Sequence, residues 1–138
     1  MNSTKITIET TINTDADKVW QYYTQPKHIT KWNFASDDWH CPKAENDMIV
    51  GGTYTARMEA KDGSFGFDLK AVYDEIIPFE KIVYTTEDGR KVITTFENLN
   101  NKTKVITIFE AENQNPVDMQ KAGWQDILDN FRRYVETY

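Results

Sequence analysis

A single cysteine, Cys41, leaves this chain without the means for an internal disulfide and suits a reducing compartment. Histidine is almost as scarce: His28 and His40 are the two, and nothing stands at zinc-ligand spacing, so neither a metal nor a cofactor is expected. No apolar run approaches the roughly 20 residues of a membrane-crossing helix, and the opening MNSTKITIET alternates rather than forming the apolar stretch of a signal peptide. Positive charge is short as well. The formal net charge of −6 argues against unspecific binding to nucleic acid or to an anionic membrane. The expectation is therefore a cytoplasmic protein with no nucleic-acid partner and no membrane insertion. Phosphate-binding glycine loops, G-x-S-x-G elbows and other nucleophile motifs are absent too.

What is present is a chain of 138 residues, 39% hydrophobic and 28% charged, which reads as one domain over 1–138 with room for a real core. Aromatic residues reach 13%, a surplus that needs a use. The organising stretch is the last one, PVDMQKAGWQDILDNFRRYVETY. At 100° per residue, Val117, Trp124, Ile127, Leu128, Phe131, Val135 and Tyr138 share one side, which predicts an amphipathic helix over 116–138. Such a helix would run about 30 Å, enough to cross a small domain. Its buried face would contribute on the order of 10 kcal/mol gross.

The rest of the chain supplies its partner. Residues 4–13 alternate, with Ile6, Ile8, Ile12 and Thr10 on one face of a half-buried strand. Thr14 is placed to cap a helix to about Thr24, with Val19, Trp20 and Tyr23 inward; Pro26 ends it, and 27–32 form a short second helix. From 33 to 46 the pattern is lost, and an ordered loop is expected, with a short strand near 39–41. Gly51-Gly52 permit a bulge or positive φ before strands at 52–60 and 65–77, joined by Asp62-Gly63 as a type I′ turn. Strands at 82–87, 90–99 and 103–112 follow, with turns at Asp88-Gly89 and Asn100-Asn101. This order is α+β, with helices segregated from an antiparallel sheet of six or seven strands.

Several stretches together resemble one family. They are TINTDADKVWQYYTQPKHITKW, DMIVGGTY at 47–54, the Asp62-Gly63 hairpin, YDEIIP at 73–78 and Gly123-Trp124. The chain looks like a member of the family related to the activator of the ninety-kilodalton heat-shock chaperone's ATPase. That family sits in the helix-grip superfamily of START lipid-transfer domains and birch-pollen-allergen-like proteins (SRPBCC). One departure is visible: Ile49 stands where the family usually has a basic residue. The resemblance covers nearly the whole chain and implies a helix-grip fold, a curved antiparallel sheet gripping the C-terminal helix, often with an apolar cavity between them. Family members differ widely in function.

Trp20, Tyr23, Trp32, Trp39, Tyr54, Phe65, Phe67 and Trp124 admit two readings: they line a ligand cavity, or they fill the core. Met58 and Leu128 belong with the same faces, and His40 is a polar candidate for a cavity mouth. His40 and Cys41, adjacent on a strand, would point to opposite faces and cannot act as a base–nucleophile pair. Arg57 alternates with Ala56 and Met58 and is expected outside; the reverse register would put it in the cavity to select an acidic ligand.

Three functions follow. The first is a binding protein for a small apolar or aromatic molecule, lipid or polyketide-like, held by Trp20, Tyr23, Trp32, Trp39, His40, Tyr54, Met58, Phe67, Trp124 and Leu128. The alternative is a co-chaperone-like interaction module with a chaperone partner, which the resemblance alone implies. An enzyme of the cyclase or hydrolase sort is least supported, since two histidines and dispersed acids assemble no acid–base pair.

Overall fold

Ten elements follow one another in the computed structural model, which describes residues 4–138. They are β1 (Lys5–Ile12), α1 (Ala16–Thr24), α2 (Pro26–Trp32), β2 (Trp39–Asn46), β3 (Thr53–Ala60), β4 (Gly66–Ile77), β5 (Lys81–Thr86), β6 (Lys91–Asn98), β7 (Thr103–Glu110) and α3 (Val117–Thr137). The strands form one antiparallel sheet in the order β1-β7-β6-β5-β4-β3-β2. The first and second strands thus occupy opposite edges, and α1 and α2 carry the chain between them. The sheet curls into a half-barrel around α3. This is the α+β helix-grip architecture that the sequence implies.

Strict alternation makes the strands. On β7, Thr103, Val105, Thr107 and Phe109 are buried while each neighbour is half-buried, the period-two pattern of a sheet with one face on the core. Tyr54, Ala56 and Met58 do the same on β3, which leaves Arg57 on the outer face with Glu59 and Asp68 as expected. A bulge in β4 sets Asp74 outside the pairing between Tyr73 and Glu75. Bulges bend a strand and increase its twist, which helps the sheet to curl. Helices cover both sheet edges. Gln125 of α3 donates to the Glu9 carbonyl of β1 at 3.1 Å, and α2 packs on β2.

Four local expectations are corrected. Residues 39–46 form a full edge strand rather than a loop. Its alternation is hidden because the register shifts between His40 and Lys43, around Cys41 and Pro42, and a bulge on an edge strand is where proline is tolerated. The N-cap of α1 is Asp15, whose carboxylate accepts from the Lys18 N–H at 3.1 Å, while the Thr14 carbonyl instead accepts from the Thr103 hydroxyl at 2.9 Å. The primed turn lies at Asn100-Asn101, both with positive φ (56° and 71°); at Asp62-Gly63 only the glycine is left-handed. Finally, the ends of the α3 stripe are not buried. Val117, the first residue of α3, and Tyr138, its C-cap, are exposed.

Gly52 has a different task from these turns. A Cβ there would stand 2.3 Å from the Asp47 carbonyl oxygen, so the loop into β3 closes only without a side chain. Its neighbour Gly51 sits at φ +85° and donates to the Tyr73 carbonyl, tying this loop to β4.

Candidate functional site

The core is not filled evenly along α3. At its C-terminal half, Phe131 and Val135 have no exposed surface, and the Phe131 ring meets Trp32 and Tyr23 edge-on at 4.7 and 5.2 Å. At its N-terminal half, Trp124 and Ile127 are only half-buried. Beneath them, between helix and sheet, lies a cavity of about 310 Å³. Its walls are Ile8, Met58, Leu69 and Ile82 from the strands and Trp124, Ile127 and Leu128 from the helix. Trp124 is held in place by stacking on Phe109, with ring centres 3.9 Å apart and planes within 11°.

One part of the lining is polar, and it is made of tyrosines. Tyr54, Tyr73 and Tyr84 come from β3, β4 and β5, and their rings form a triangle with sides of 5.8, 6.2 and 6.5 Å. The Tyr73 hydroxyl donates to the Asn46 side-chain oxygen, and the Asn46 amide donates to the Thr24 carbonyl at 2.7 Å. Asn33 donates to the Tyr54 oxygen at 3.2 Å. Burial pushes the Tyr54 and Tyr84 hydroxyls well above the usual phenol range, and Tyr73 and Tyr23 upward as well. All four stay protonated and act as neutral hydrogen-bonding groups.

Charge enters only where the cavity meets the surface. Arg90 lines it but bonds Asp88 at 2.8 Å, and Glu112 lines it but accepts from the backbone N–H groups of Gln114 and Asn115. Gln120, buried at the start of α3, ties this rim together. It donates to the carbonyls of Glu112 and Asn115 and accepts from the Glu112 N–H at 2.9 Å. Among the described residues, no three His, Cys, Asp or Glu side chains gather as metal ligands would.

Of the residues expected to form a site, Tyr23, Trp32, Tyr54, Met58, Phe67, Trp124 and Leu128 line this cavity. Three are placed elsewhere. Trp20 packs on Phe96 and Phe79, away from the cavity. His40 lies on the outer face of the sheet, 3.4 Å from Glu59. Trp39 joins Phe65 and Phe67 in an aromatic cluster at the β3–β4 tip, where Phe65 is 60% exposed and no part of the core or the lining. Tyr73, Tyr84, Asn33 and Asn46 were missed by the sequence reading. A signal did exist for the two tyrosines, since Tyr73 stands two residues from Ala71 and Tyr84 two from Ile82, which sets each pair on one face of its strand. For the asparagines there was none, because both sit where the pattern breaks.

Seven antiparallel strands curled round one long helix, with a helix pair after the first strand and a hollow under the grip, define a helix-grip protein. Within that class, the sequence model of the family described as Activator of Hsp90 ATPase homolog 1-like protein matches residues 13–136, and the chain belongs to this family. Its backbone is similar to that of an AHSA1-like protein from Aeromonas hydrophila, at 40% identity and a TM-score of 0.91 over 97% of this chain and 93% of that one. A solution structure from Cytophaga hutchinsonii is 45% identical, with a TM-score of 0.84 over 96% of this chain and 92% of the other. A Chromobacterium violaceum protein shares the fold at 22% identity, with a TM-score of 0.85 and 96% of each chain covered. No curated protein matches the sequence.

Proposed function

We propose that the protein binds a small apolar or aromatic molecule, lipid or polyketide-like in character, in the cavity between α3 and the sheet. The observation that carries this reading is the uneven filling of the grip: about 310 Å³ stay open under Trp124 and Ile127 while the other half of the same helix is closed. That volume is at the lower end of small-molecule sites, and apolar walls with a few placed polar groups are their usual character. The protein holds its ligand and performs no chemistry on it: the polar groups away from the rim are neutral hydroxyls and amides, and Glu112, the carboxylate at the rim, is taken up by the backbone N–H groups of Gln114 and Asn115.

The test is an amide-resolved NMR titration with fatty acids, sterols and aromatic polyketides. Shifts gathered at Tyr54, Tyr84 and the Trp124 indole are the expected result. A spectrum unmoved by every compound would overturn the reading. A chaperone partner takes second place, since its support is the family's description, and an unchanged chaperone ATPase rate on adding the protein would dispose of it.

A further inference from the structure

Hydrogen-bond accounting at the tyrosine triangle points to a ligand class. Tyr73 has spent its proton on Asn46. Tyr54 has spent acceptor capacity on Asn33, so what it has left to offer is its proton. Tyr84 is 93% buried as a residue (7% exposed), yet its hydroxyl has no hydrogen-bond partner among the described residues. No fully enclosed side-chain oxygen lacks a partner in this part of the chain, so the Tyr84 hydroxyl is not sealed in; its free surface opens on the cavity it lines. Two O–H donors therefore stand available in a hollow whose other polar side chains already have partners. A buried donor without a partner is costly, and a ligand that supplies an acceptor relieves that cost.

Charge narrows the choice further. A carboxylate placed among these rings would need a cation to offset its desolvation. Arg90, the one cationic side chain of the lining among the described residues, is already paired with Asp88, and Glu112 adds a negative charge at the same rim. We infer that the cavity selects uncharged molecules carrying a carbonyl or similar acceptor oxygen on an apolar or aromatic body, with Tyr84 and Tyr54 donating to that oxygen. This rests on the ligand-binding reading above and specifies what it binds.

The experiment uses three probes of similar size: hexanoylnaphthalene, hexylnaphthalene and naphthylpentanoate. Dissociation constants are measured for the intact protein and for Tyr84→Phe and Tyr54→Phe. The ketone is expected to bind about tenfold tighter than the hydrocarbon, the net worth of one or two hydrogen bonds, with the carboxylate weakest at neutral pH. Each Tyr→Phe variant should lose about fivefold for the ketone and nothing for the hydrocarbon. Equal affinity for ketone and hydrocarbon, or a carboxylate that binds tightest, would overturn the inference while leaving the ligand reading intact. If none of the three binds, the ligand reading fails and the inference with it. Should one variant not fold, as its amide spectrum would reveal, the other variant and the wild-type ranking still decide.

Discussion

The two halves of α3 face the same sheet and end up in different states. Around Phe131 and Val135, side chains from α1, α2 and the sheet meet and leave no exposed surface on either residue. Around Trp124 and Ile127 the sheet stands opposite, and α1 and α2 reach the hollow only at its wall, through Tyr23 and Trp32, whose rings pack on Phe131. One helix layer on a strongly curled sheet cannot fill its concavity; a second layer can. The short helix pair therefore decides which half of the grip is solid and which is hollow.

Breaking the solid half should produce the largest effect. Phe131→Ala is expected to cost about 3–5 kcal/mol, because a closed site collapses poorly around a lost ring, and urea unfolding would measure it. Enlargement separates the halves next. Val135→Phe should cost about 1–3 kcal/mol by overpacking, whereas Leu69→Phe, which projects into the hollow, should stay within about 1 kcal/mol and reduce ligand binding instead. Equal costs for the two would erase the distinction. Trp124→Ala falls between, at about 1–2 kcal/mol for a half-buried ring, with a larger proportional loss in ligand affinity than in stability. Gly123→Ala sharpens the comparison from the other direction. A Cβ there meets nothing within 4 Å, so this helix-interior glycine should yield about 0.5–1 kcal/mol of extra stability, read as a raised thermal midpoint.

The smallest expected effect lies at the solid end and depends on pH. His28 stacks on Tyr22 with ring centres 4.0 Å apart and shares a 2.7 Å hydrogen bond with the Tyr134 hydroxyl. Burial first, and the charge of Lys27 second, hold its imidazole below the usual histidine range. The folded chain thus binds its proton less readily than the unfolded one. Stability from this site is present above about pH 6.5 and declines as pH falls through the lower folded value. His28→Gln should flatten the urea midpoint between about pH 7 and 5 relative to the parent. A parallel pair of curves would assign the slope to other groups.

Much of this was legible from residue order alone. Period two in β1, β3, β6 and β7 and period 3.6 in α3 are local consequences of which side chains can share a face, and they specified the antiparallel sheet, its long helix and the outward Arg57. Family-specific stretches from TINTDADKVW to Gly123-Trp124 carried the grip itself. Tertiary structure alone decided the rest. Tyr54, Tyr73 and Tyr84 converge because three strands set them side by side in register, with Tyr54 opposite Ala71 and Tyr73 opposite Tyr84, a pairing no single segment contains. Asn33 and Asn46 reach them from a helix end and an edge strand whose sequences show no period. The aromatic surplus likewise divided by position: Trp32 and Tyr54 turned toward the hollow, Trp20 went to the filled core against Phe96, and Phe65 stayed in solvent at the β3–β4 hairpin tip. Periodicity tells a side chain which face it occupies; whether that face meets a neighbour, a hollow or water depends on how the sheet curls and where the helices lie.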